Sequence, residues 1–324
     1  MCMLYLLTPG VKARKDRGRI RIEKDDQKLN SVLIKDVESI IVGKCAEVST
    51  AVLFELMSMG KGIFYVDGRG HLVGQMGSEK NSLERLECQR GCFGDEEISL
   101  GLIKQVIQKK IGEQIKVLKG YGRYSHREEL HTLAEALIIY RKKVLQGRDG
   151  EALRGLEGIA SRTYFEGFRY ILDQSKWPWE GRNRRPSLDP VNALLNYGYA
   201  FLEREVRLGI IGSGLDVRLG FLHSNNGRKD SLVYDLMEMF RQRIIDRLVL
   251  KLLNRGQFKQ DDFIEGEDMD IRLTDEGRTK WIMAYEKEMN EMSEDLGGIS
   301  PREHIRQQIR QFAVELYRTA ATSA

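Results

Sequence analysis

The sequence of 324 residues has little cysteine, proline or histidine, and the first two scarcities exclude specific structures. Four cysteines are too few for a disulfide framework in a chain of this length. Cys88 and Cys92 are four residues apart, but their neighbourhood contains no histidine that could complete a zinc site. Five prolines leave room for long uninterrupted helices. We therefore expect reduced thiols and no structural zinc.

Long hydrophobic runs are absent as well. No apolar stretch approaches the roughly 20 residues that are needed to cross a bilayer. The first residues, MCMLYLLTPG, have no basic region before their short apolar run, which is unlike a secretory signal. A composition of 41% hydrophobic and 31% charged residues is typical of globular proteins. These features predict a cytoplasmic protein without a membrane partner.

The net charge of +4 permits nucleic acid as a partner without requiring it. The basic residues are nevertheless grouped in two segments. One group consists of Lys104, Lys109, Lys110, Lys116, Lys119, Arg123 and Arg127, and the other of Arg182, Arg184 and Arg185. Such runs are most often solvated surfaces, although two runs that flank a candidate site favour contact with a phosphate backbone.

The period of the hydrophobic pattern changes near residue 80. Before residue 77, short runs such as GRIRIEK, SIIVGK and GIFYVDG predict strands, and DGRG at 67–70 predicts a hairpin turn. STAVLFELMSMGKG predicts one helix among these strands, capped by Ser49 or Thr50 and ended by Gly60. This part of the chain is therefore predicted to be mainly β.

After residue 80, apolar residues recur at intervals of three and four, which predicts helices up to the C-terminus. The best-marked helix begins at SLDP, with Asp189 as N-cap and Pro190 in the first turn. The acidic stretch DDFIEGEDMD (261–270) is interpreted as a solvated connection. The predicted fold class is α+β, with a small β-rich domain (1–80) followed by a larger all-α domain (81–324).

One carboxylate is placed unusually within the predicted helix EALRGLEGIASRTYFEGFRYIL. Glu157 shares a helical face with Leu153, Ala160 and Tyr164, a face that should be packed. A carboxylate on such a face needs a compensating charge or hydrogen bond. An ion pair with an arginine such as Arg162 is the ordinary explanation, and a metal ion is the alternative.

Two more carboxylates and a histidine could supply the further ligands that a metal ion at Glu157 would require. Asp235 and Glu238 are three apart on a helix predicted to begin near Asp230 or Ser231, so they should share a surface and favour a common cation. His223 lies in the preceding turn, where a lone histidine is most often incidental. Combined with Glu157, these residues form a mixed nitrogen and oxygen set that suits Mg²⁺ or Mn²⁺ and phosphodiester chemistry.

Four blocks that contain these residues carry a family resemblance. In chain order they are LEGIASRTYFEGF, RNRRPSLDPVNALLNYGYAFLEREV, SGLDVRLGFLHS and DSLVYDLMEMFR. Together they strongly resemble the CRISPR-associated spacer-acquisition integrases, and the β-rich beginning agrees with that family's N-terminal domain. The resemblance covers the whole predicted helical half.

The resemblance implies roles for individual residues. It implies that Glu157, His223 and Glu238 bind the divalent metal, with Asp235 as an auxiliary acidic group in the same catalytic set. Many relatives have aspartate at the position of Glu238. For DNA contact, the candidates are Arg162, Tyr164, Arg182, Arg184, Arg185 and Asn192.

The resemblance also implies an activity and partners. Members of the family are homodimers that flank a dimer of a small ferredoxin-like partner and insert a DNA duplex at the leader end of a CRISPR array. A 3′-hydroxyl attacks a phosphodiester at the repeat boundary, so the implied enzyme is a metal-dependent DNA integrase and endonuclease acting on double-stranded and branched DNA. The β-rich domain is expected to serve dimerisation and DNA contact.

Two other functions remain open from the residues alone. One is a non-catalytic DNA-binding scaffold in which Glu157 forms a structural salt bridge. The other is a metal-dependent phosphodiesterase that acts on RNA, small nucleotides or branched DNA.

Overall fold

The computed structural model describes residues 2–77, 83–183, 186–223, 230–266 and 269–323. The chain divides into two compact units, Met1–Lys80 and Asn81–Ala324. The first is rich in strands and the second is mainly helical, which confirms the predicted fold class.

The first unit contains two four-stranded sheets. One sheet has the order β1-β5-β7-β8, in which β8 alone is antiparallel to its neighbour, and the other has the order β4-β3-β2-β6. The elements are β1 (Cys2–Leu6), β2 (Lys12–Asp16), β3 (Arg19–Lys24), β4 (Gln27–Leu33), β5 (Val37–Gly43), β6 (Glu47–Val48), α1 (Thr50–Ser58), β7 (Gly62–Val66) and β8 (Leu72–Met76).

Most of these elements follow from the hydrophobic pattern. Strand β5 is an almost continuous apolar run that is buried along most of its length, as expected for a central strand of a parallel sheet. The predicted turn at 67–70 joins β7 to the antiparallel β8, and the Asp67 carboxylate accepts hydrogen bonds from the backbone of Arg69 and His71. Strand β2 was not predicted, because in KARKD only Ala13 is buried.

The second unit is built mainly from helices, and within its described part none is long and apolar enough to cross a membrane. Its elements are α2 (Leu83–Gly94), α3 (Glu96–Ser125), α4 (Glu128–Gln146), α5 (Gly150–Glu166), α6 (Phe168–Ile171), α7 (Pro190–Gly212), α8 (Ser231–Met237), a π-helical segment (Arg241–Asp246), α9 (Arg247–Asn254), β9 (Phe263–Glu265), β10 (Ile271–Leu273), α10 (Asp275–Asn290) and α11 (Pro301–Ser323).

The prediction that this unit is entirely helical is wrong in one place. Strand β9 lies within the stretch interpreted as a solvated connection and pairs in antiparallel fashion with β10, which begins directly after that stretch. The backbone N–H of Ile271 donates to the carbonyl of Ser187, 2.8 Å away, which ties the hairpin to the segment before α7. Strands of three residues are too short to show a period in the sequence.

Helix α7 lies in the core of this unit and begins as predicted. Asp189 accepts a hydrogen bond from the backbone N–H of Asn192 at 2.8 Å, and Pro190 occupies the first turn. Residues on all sides of α7 are buried, which is the pattern of a core helix. At Gly198 the contact with α10 is close, since a Cβ there would lie 2.8 Å from the Trp281 ring.

The π-helical segment interrupts the helical register between α8 and α9. Segments of this kind are rare in proteins, and those that occur often lie at functional sites. It separates two buried carboxylates, Glu238 just before it and Asp246 at its end. A cleft opens at the first of these.

Candidate metal centre

The ammonium group of Lys110 lies between two carboxylates that come from distant parts of the chain. Its Nζ contacts Oε1 of Glu157 from α5 and lies 2.6 Å from Oε2 of Glu238, which follows α8. The side chains of Lys110 and Glu238 are only 6% and 5% exposed. Glu157 and Glu238 are therefore within reach of one and the same cation.

The helices place these side chains by their packing. Lys110 follows Ile103 by seven residues and Ile107 by three, so it belongs to the buried stripe of α3. Glu157 lies at the edge of the packed face of α5, with its side chain 26% exposed, and the Ser161 hydroxyl donates to its Oε1 at 2.9 Å. The prediction that Glu157 meets a compensating charge is confirmed, and the observed partner is Lys110 rather than Arg162.

Glu238 is held in its ionised form. Its Oε1 lies 3.3 Å from Nε of Arg241, the first residue of the π-helical segment. Burial alone would raise the pKa of Glu238, but the positive charges of Arg241 and Lys110 lower the pKa to about 2. Glu238 thus remains an anion, as a metal ligand must be.

The carboxylates of Asp235 and Glu238 have different partners. It is fully buried, and its carboxylate accepts hydrogen bonds from the backbone N–H groups of Phe221, Leu222 and His223 at 2.6, 3.0 and 2.9 Å. Its Oδ1 also lies 2.6 Å from Nδ1 of His223. The expectation that Asp235 and Glu238 share one cation is therefore not met by these contacts, and Asp235 is a positioning residue for His223.

The pairing with Asp235 sets the orientation of the His223 ring. With Nδ1–H donating to the carboxylate, Nε2 keeps its lone pair on the opposite side of the ring. A carboxylate behind a histidine in this way is common at metal sites, where it fixes the tautomer of a ligand. The His223 side chain is 45% exposed, so it is accessible to a ligand.

Gly220 allows the loop to approach Asp235 this closely. A Cβ at this position would lie 2.6 Å from Oδ2 of Asp235 and 2.6 Å from Cβ of Ser231. Any larger residue would have to push the 221–223 backbone away from the carboxylate. Glycine is therefore required for the geometry of His223.

A cleft of about 490 Å³ opens beside the two glutamates. Lys110, Glu157 and Glu238 line it, with Phe165 and Trp179 among its apolar residues. Four guanidinium groups, those of Arg162, Arg169, Arg182 and Arg241, also line it, together with two further carboxylates, Glu166 and Glu180. A cleft with this lining suits a phosphate-bearing chain held next to the carboxylates.

The candidate DNA contacts fall into three groups in the structure. Arg162 and Arg182 line the cleft, whereas Arg184 and Arg185 lie outside the described residues. The prediction for Tyr164 is wrong, because its side chain is fully buried and its hydroxyl donates to Asp246.

Asn192 is also buried and does not offer a surface for DNA. Its Oδ1 accepts a hydrogen bond from Arg182 at 2.8 Å, and its amide group donates to the Gly181 carbonyl and to Asp189. Asn196 accepts a second hydrogen bond from Arg182 at 2.6 Å. Asn192 thus positions a cleft arginine from behind.

A second buried carboxylate lies behind the cleft. Asp246 accepts hydrogen bonds from the hydroxyls of Tyr199 at 2.6 Å and Tyr164 at 3.0 Å. Burial raises the pKa of Asp246 to about 6, although both hydroxyls and the more distant Arg182 and Arg241 oppose this shift. The guanidinium groups of both arginines lie against the Tyr199 ring, so this network supports part of the cleft wall.

The residues fit a divalent cation in their chemistry. In the part of the chain that the structure describes, no three or more His, Cys, Asp or Glu side chains are already gathered as metal ligands. The ammonium of Lys110 is instead the cation held by Glu157 and Glu238. In their chemistry, two carboxylates and one imidazole form a donor set suited to Mg²⁺ or Mn²⁺.

Sequence reasoning missed three charged residues around this site: Lys110, Arg241 and Asp246. Lys110 was grouped with a basic run, although its spacing from Ile103 and Ile107 is the same type of signal that identified Glu157. Arg241 is three residues after Glu238, a spacing typical of helical ion pairs. Asp246 gave no signal, because the π-helical segment shifts its side chain out of the regular helical register.

Comparison with known proteins identifies the family. The model of the family described as CRISPR associated protein Cas1 matches residues 4–287. A CRISPR-associated endonuclease Cas1 of Thermus thermophilus is 30% identical over 302 residues, which cover 92% of this chain and 90% of that protein. Another, from Rhodospirillum rubrum, is 30% identical over 294 residues, covering 88% of this chain and 85% of that protein.

Solved structures share the fold. A CAS1 protein from Thermotoga maritima superposes with a TM-score of 0.84 at 24% identity, covering 97% of this chain and 96% of the other. A casposase bound to its integration product gives a TM-score of 0.86 at 24% identity, covering 98% of this chain and 91% of the other. The family model and the curated relatives span most of the chain, and the chain therefore belongs to the CRISPR associated protein Cas1 family.

Proposed function

We propose that this protein is a divalent-metal-dependent DNA integrase and endonuclease that acts in CRISPR adaptation. The observation that carries the proposal is the convergence of Glu157 and Glu238 on one cation, beside a cleft lined by arginines. Membership of the Cas1 family and the names of the curated relatives as CRISPR-associated endonucleases support it.

Glu157, Glu238 and His223 are the proposed ligands of Mg²⁺ or Mn²⁺. When bound, the metal supplies Lewis acidity toward a phosphodiester oxygen and lowers the pKa of a hydroxyl or water. Asp235 holds the Nδ1–H side of His223, so that Nε2 faces the ligand. Arg162 and Arg182 bind the phosphates of the DNA strand in the cleft and keep the reacting phosphodiester in place.

The proposed reaction is transesterification. A 3′-hydroxyl of the incoming DNA attacks a phosphodiester at the repeat boundary, forms a new bond to phosphorus and releases the 3′-oxygen of the target strand. One phosphodiester replaces another, so the reaction needs positioning and charge stabilisation rather than an energy source. Similarity to the casposase bound to an integration product favours strand transfer over hydrolysis alone.

The proposed assembly is a homodimer that acts with a small ferredoxin-like Cas2 partner on double-stranded and branched DNA. Its support is similarity to 35% of a chain in a Cas6-RT-Cas1–Cas2 complex, at a TM-score of 0.84, and to a Cas1–DNA complex, at a TM-score of 0.51. Under this proposal the β-rich unit serves dimerisation and DNA contact.

An integration assay tests the proposal. Purified protein, the partner protein, a short DNA duplex and a supercoiled plasmid that carries a CRISPR repeat are combined with Mn²⁺ or Mg²⁺. We expect integrated product that EDTA abolishes and that Glu157→Gln lowers at least about 100-fold. Glu151→Gln changes an exposed residue on the same helix α5 and is the matched control, which should integrate normally.

Two results would contradict the proposal. One is undiminished product in EDTA, and the other is full activity of Glu157→Gln while Glu151→Gln behaves in the same way. Binding that falls steeply with salt but yields no metal-dependent product would instead indicate a DNA-binding scaffold. Cleavage of RNA with no strand transfer to DNA would indicate a phosphodiesterase.

A further inference from the structure

Lys110 has a position that neither the family relationship nor the proposed chemistry explains. It is a buried cation on α3, and its ammonium contacts both of the carboxylates that are proposed to bind the metal. A lysine in such a place neutralises much of the negative charge for which a divalent cation would compete. Lys110 and a divalent metal ion would therefore compete for the same two carboxylates.

We propose that Lys110 is an internal counter-ion that holds Glu157 and Glu238 together and must give up both carboxylates when a divalent metal binds. The inference rests on the proposed metal-dependent function. Glu157 lies on α5 and Glu238 directly follows α8, and without a cation between them the two negative charges would repel. The ammonium offsets that repulsion and keeps the pair assembled.

The contacts of Glu238 indicate which cation a metal ion would replace. Glu238 Oε1 faces Arg241 at 3.3 Å while its Oε2 faces Lys110 at 2.6 Å, so the two oxygens of this carboxylate have different cationic partners. A metal that takes Oε2 displaces Lys110 and leaves the contact with Arg241 in place. Once displaced, the ammonium lies beside the cleft, where the phosphates of the DNA strand are the anions available to it.

This role predicts opposite effects of Lys110 on stability and on metal affinity. Lys110→Met keeps the length and apolar stem of the side chain and removes the charge. The carboxylates then lose their competitor, and we expect Mn²⁺ to bind at least tenfold more tightly. A merely structural role would weaken binding or leave it unchanged, because a disordered site binds metal less well.

Mn²⁺ binding measured by electron paramagnetic resonance on the full-length protein tests the first effect. The wild type is compared with Lys110→Met, with Lys110→Arg, which retains a charge, and with Lys116→Met, an exposed lysine on the same helix. Lys110→Arg and Lys116→Met should bind within about threefold of the wild type. Unchanged or weaker binding by Lys110→Met would overturn the proposal.

Thermal unfolding tests the second effect without any assay of activity. In EDTA, Lys110→Met should melt about 5–10 °C below the wild type, because two carboxylates lose their shared counter-ion. Saturating Mn²⁺ should raise the melting temperature more in Lys110→Met than in the wild type. Equal metal-induced shifts in the two proteins would contradict the role assigned to Lys110.

If Lys110→Met does not fold, a measurement on the wild-type protein can still test the proposal. Acetylation of lysines with an N-hydroxysuccinimide ester, followed by mass spectrometry, should modify Lys110 several-fold faster in saturating Mn²⁺ than in EDTA, with Lys116 unchanged. Equal rates at Lys110 would overturn the proposal.

The same experiments separate this inference from the proposed function. If Glu157→Gln abolishes Mn²⁺ binding but Lys110→Met binds like the wild type, the metal site stands and the counter-ion role fails. If Glu157→Gln binds Mn²⁺ like the wild type, the metal site itself is wrong, and the role of Lys110 fails with it.

Discussion

Glu238 and Asp246 are buried carboxylates at the two ends of one short segment, and their surroundings give them opposite tendencies to ionise. Glu238 has two cations beside it, Lys110 at 2.6 Å and Arg241 at 3.3 Å, and its pKa falls to about 2. Asp246 accepts hydrogen bonds from the hydroxyls of Tyr164 and Tyr199, and its pKa rises to about 6. Burial favours the neutral form of both groups, so the cations in contact make the difference.

The contrast between Glu238 and Asp246 indicates which of the two carboxylates can bind a metal ion. A group that stays anionic at neutral pH and already holds a cation is suited to coordinate a divalent ion. A group enclosed by tyrosine hydroxyls and titrating near pH 6 is suited to a structural network. The cleft accordingly opens at Glu238, whereas Asp246 supports Arg182 and Arg241 through the Tyr199 ring.

The largest expected effect comes from making Glu238 neutral, as Asp246 partly is. Glu238→Gln removes a proposed metal ligand, and we expect strand transfer to fall at least about 100-fold. It also leaves Lys110 and Arg241 with less compensating charge, so the free energy of unfolding should fall by about 3 kcal/mol. Integration assays and urea unfolding measure the two effects. Near-normal activity in a folded variant would contradict the assignment of Glu238.

The next effect concerns Asp235, which acts through His223. Asp235→Asn cannot accept all the backbone N–H bonds of residues 221–223 and also bind Nδ1 of His223. We expect strand transfer to fall about 10–100-fold, the range typical for residues that orient a metal ligand. Raising the Mn²⁺ concentration should restore part of the activity. A loss that no metal concentration relieves would argue against a positioning role.

Asp246→Asn should change the dependence of stability on pH. The pKa of Asp246 in the folded protein is about 6, above its ordinary value of 3.8, so the folded state binds this proton more tightly than the unfolded state. The resulting stability is fully present below pH 3.8 and is lost as the pH rises through 6. The total corresponds to about 3 kcal/mol.

Urea unfolding at several pH values from below 3.8 to 7 measures this effect. The difference in unfolding free energy between the wild type and Asp246→Asn should shrink by about 3 kcal/mol as the pH rises. Parallel pH profiles of the two proteins would show that Asp246 is ionised in both the folded and the unfolded state.

The smallest effect is expected from Tyr199→Phe, which tests one of the two hydrogen bonds that Asp246 accepts from tyrosines. The change removes the hydroxyl that donates to Asp246 at 2.6 Å and keeps the ring against which Arg182 and Arg241 lie. We expect a loss of about 2 kcal/mol at pH 7. Because that hydroxyl lowers the pKa of Asp246, the pKa should rise above 6 in the variant. A stability equal to that of the wild type would contradict this account of the network.

The sequence predicted the architecture better than it predicted the details of the site. The change of hydrophobic period near residue 80 predicted the two parts of the fold, because long helices and alternating strands carry strong periodic signals. Glu157 was found because a charge on an apolar helical face is anomalous. The hairpin of β9 and β10 was missed because its strands have three residues each.

The pairing of Lys110 with the two glutamates could not be derived by the same route. Lys110 lies on α3, Glu157 on α5 and Glu238 after α8, and no local pattern pairs residues so far apart in the chain. Asp235 and Glu238 were expected to share a cation because three residues separate them on a helix. The 221–223 loop instead captures Asp235 through its backbone N–H groups, which sequence periodicity does not encode.

Anomalous diffraction from crystals of the full-length protein grown with Mn²⁺ tests the central claim most directly. We predict one strong peak within coordination distance of Glu157, Glu238 and Nε2 of His223, with the Lys110 ammonium moved away from both carboxylates. A Lys110 ammonium still between Glu157 and Glu238, with Mn²⁺ bound elsewhere or nowhere, would contradict the assignment of this site as the metal centre.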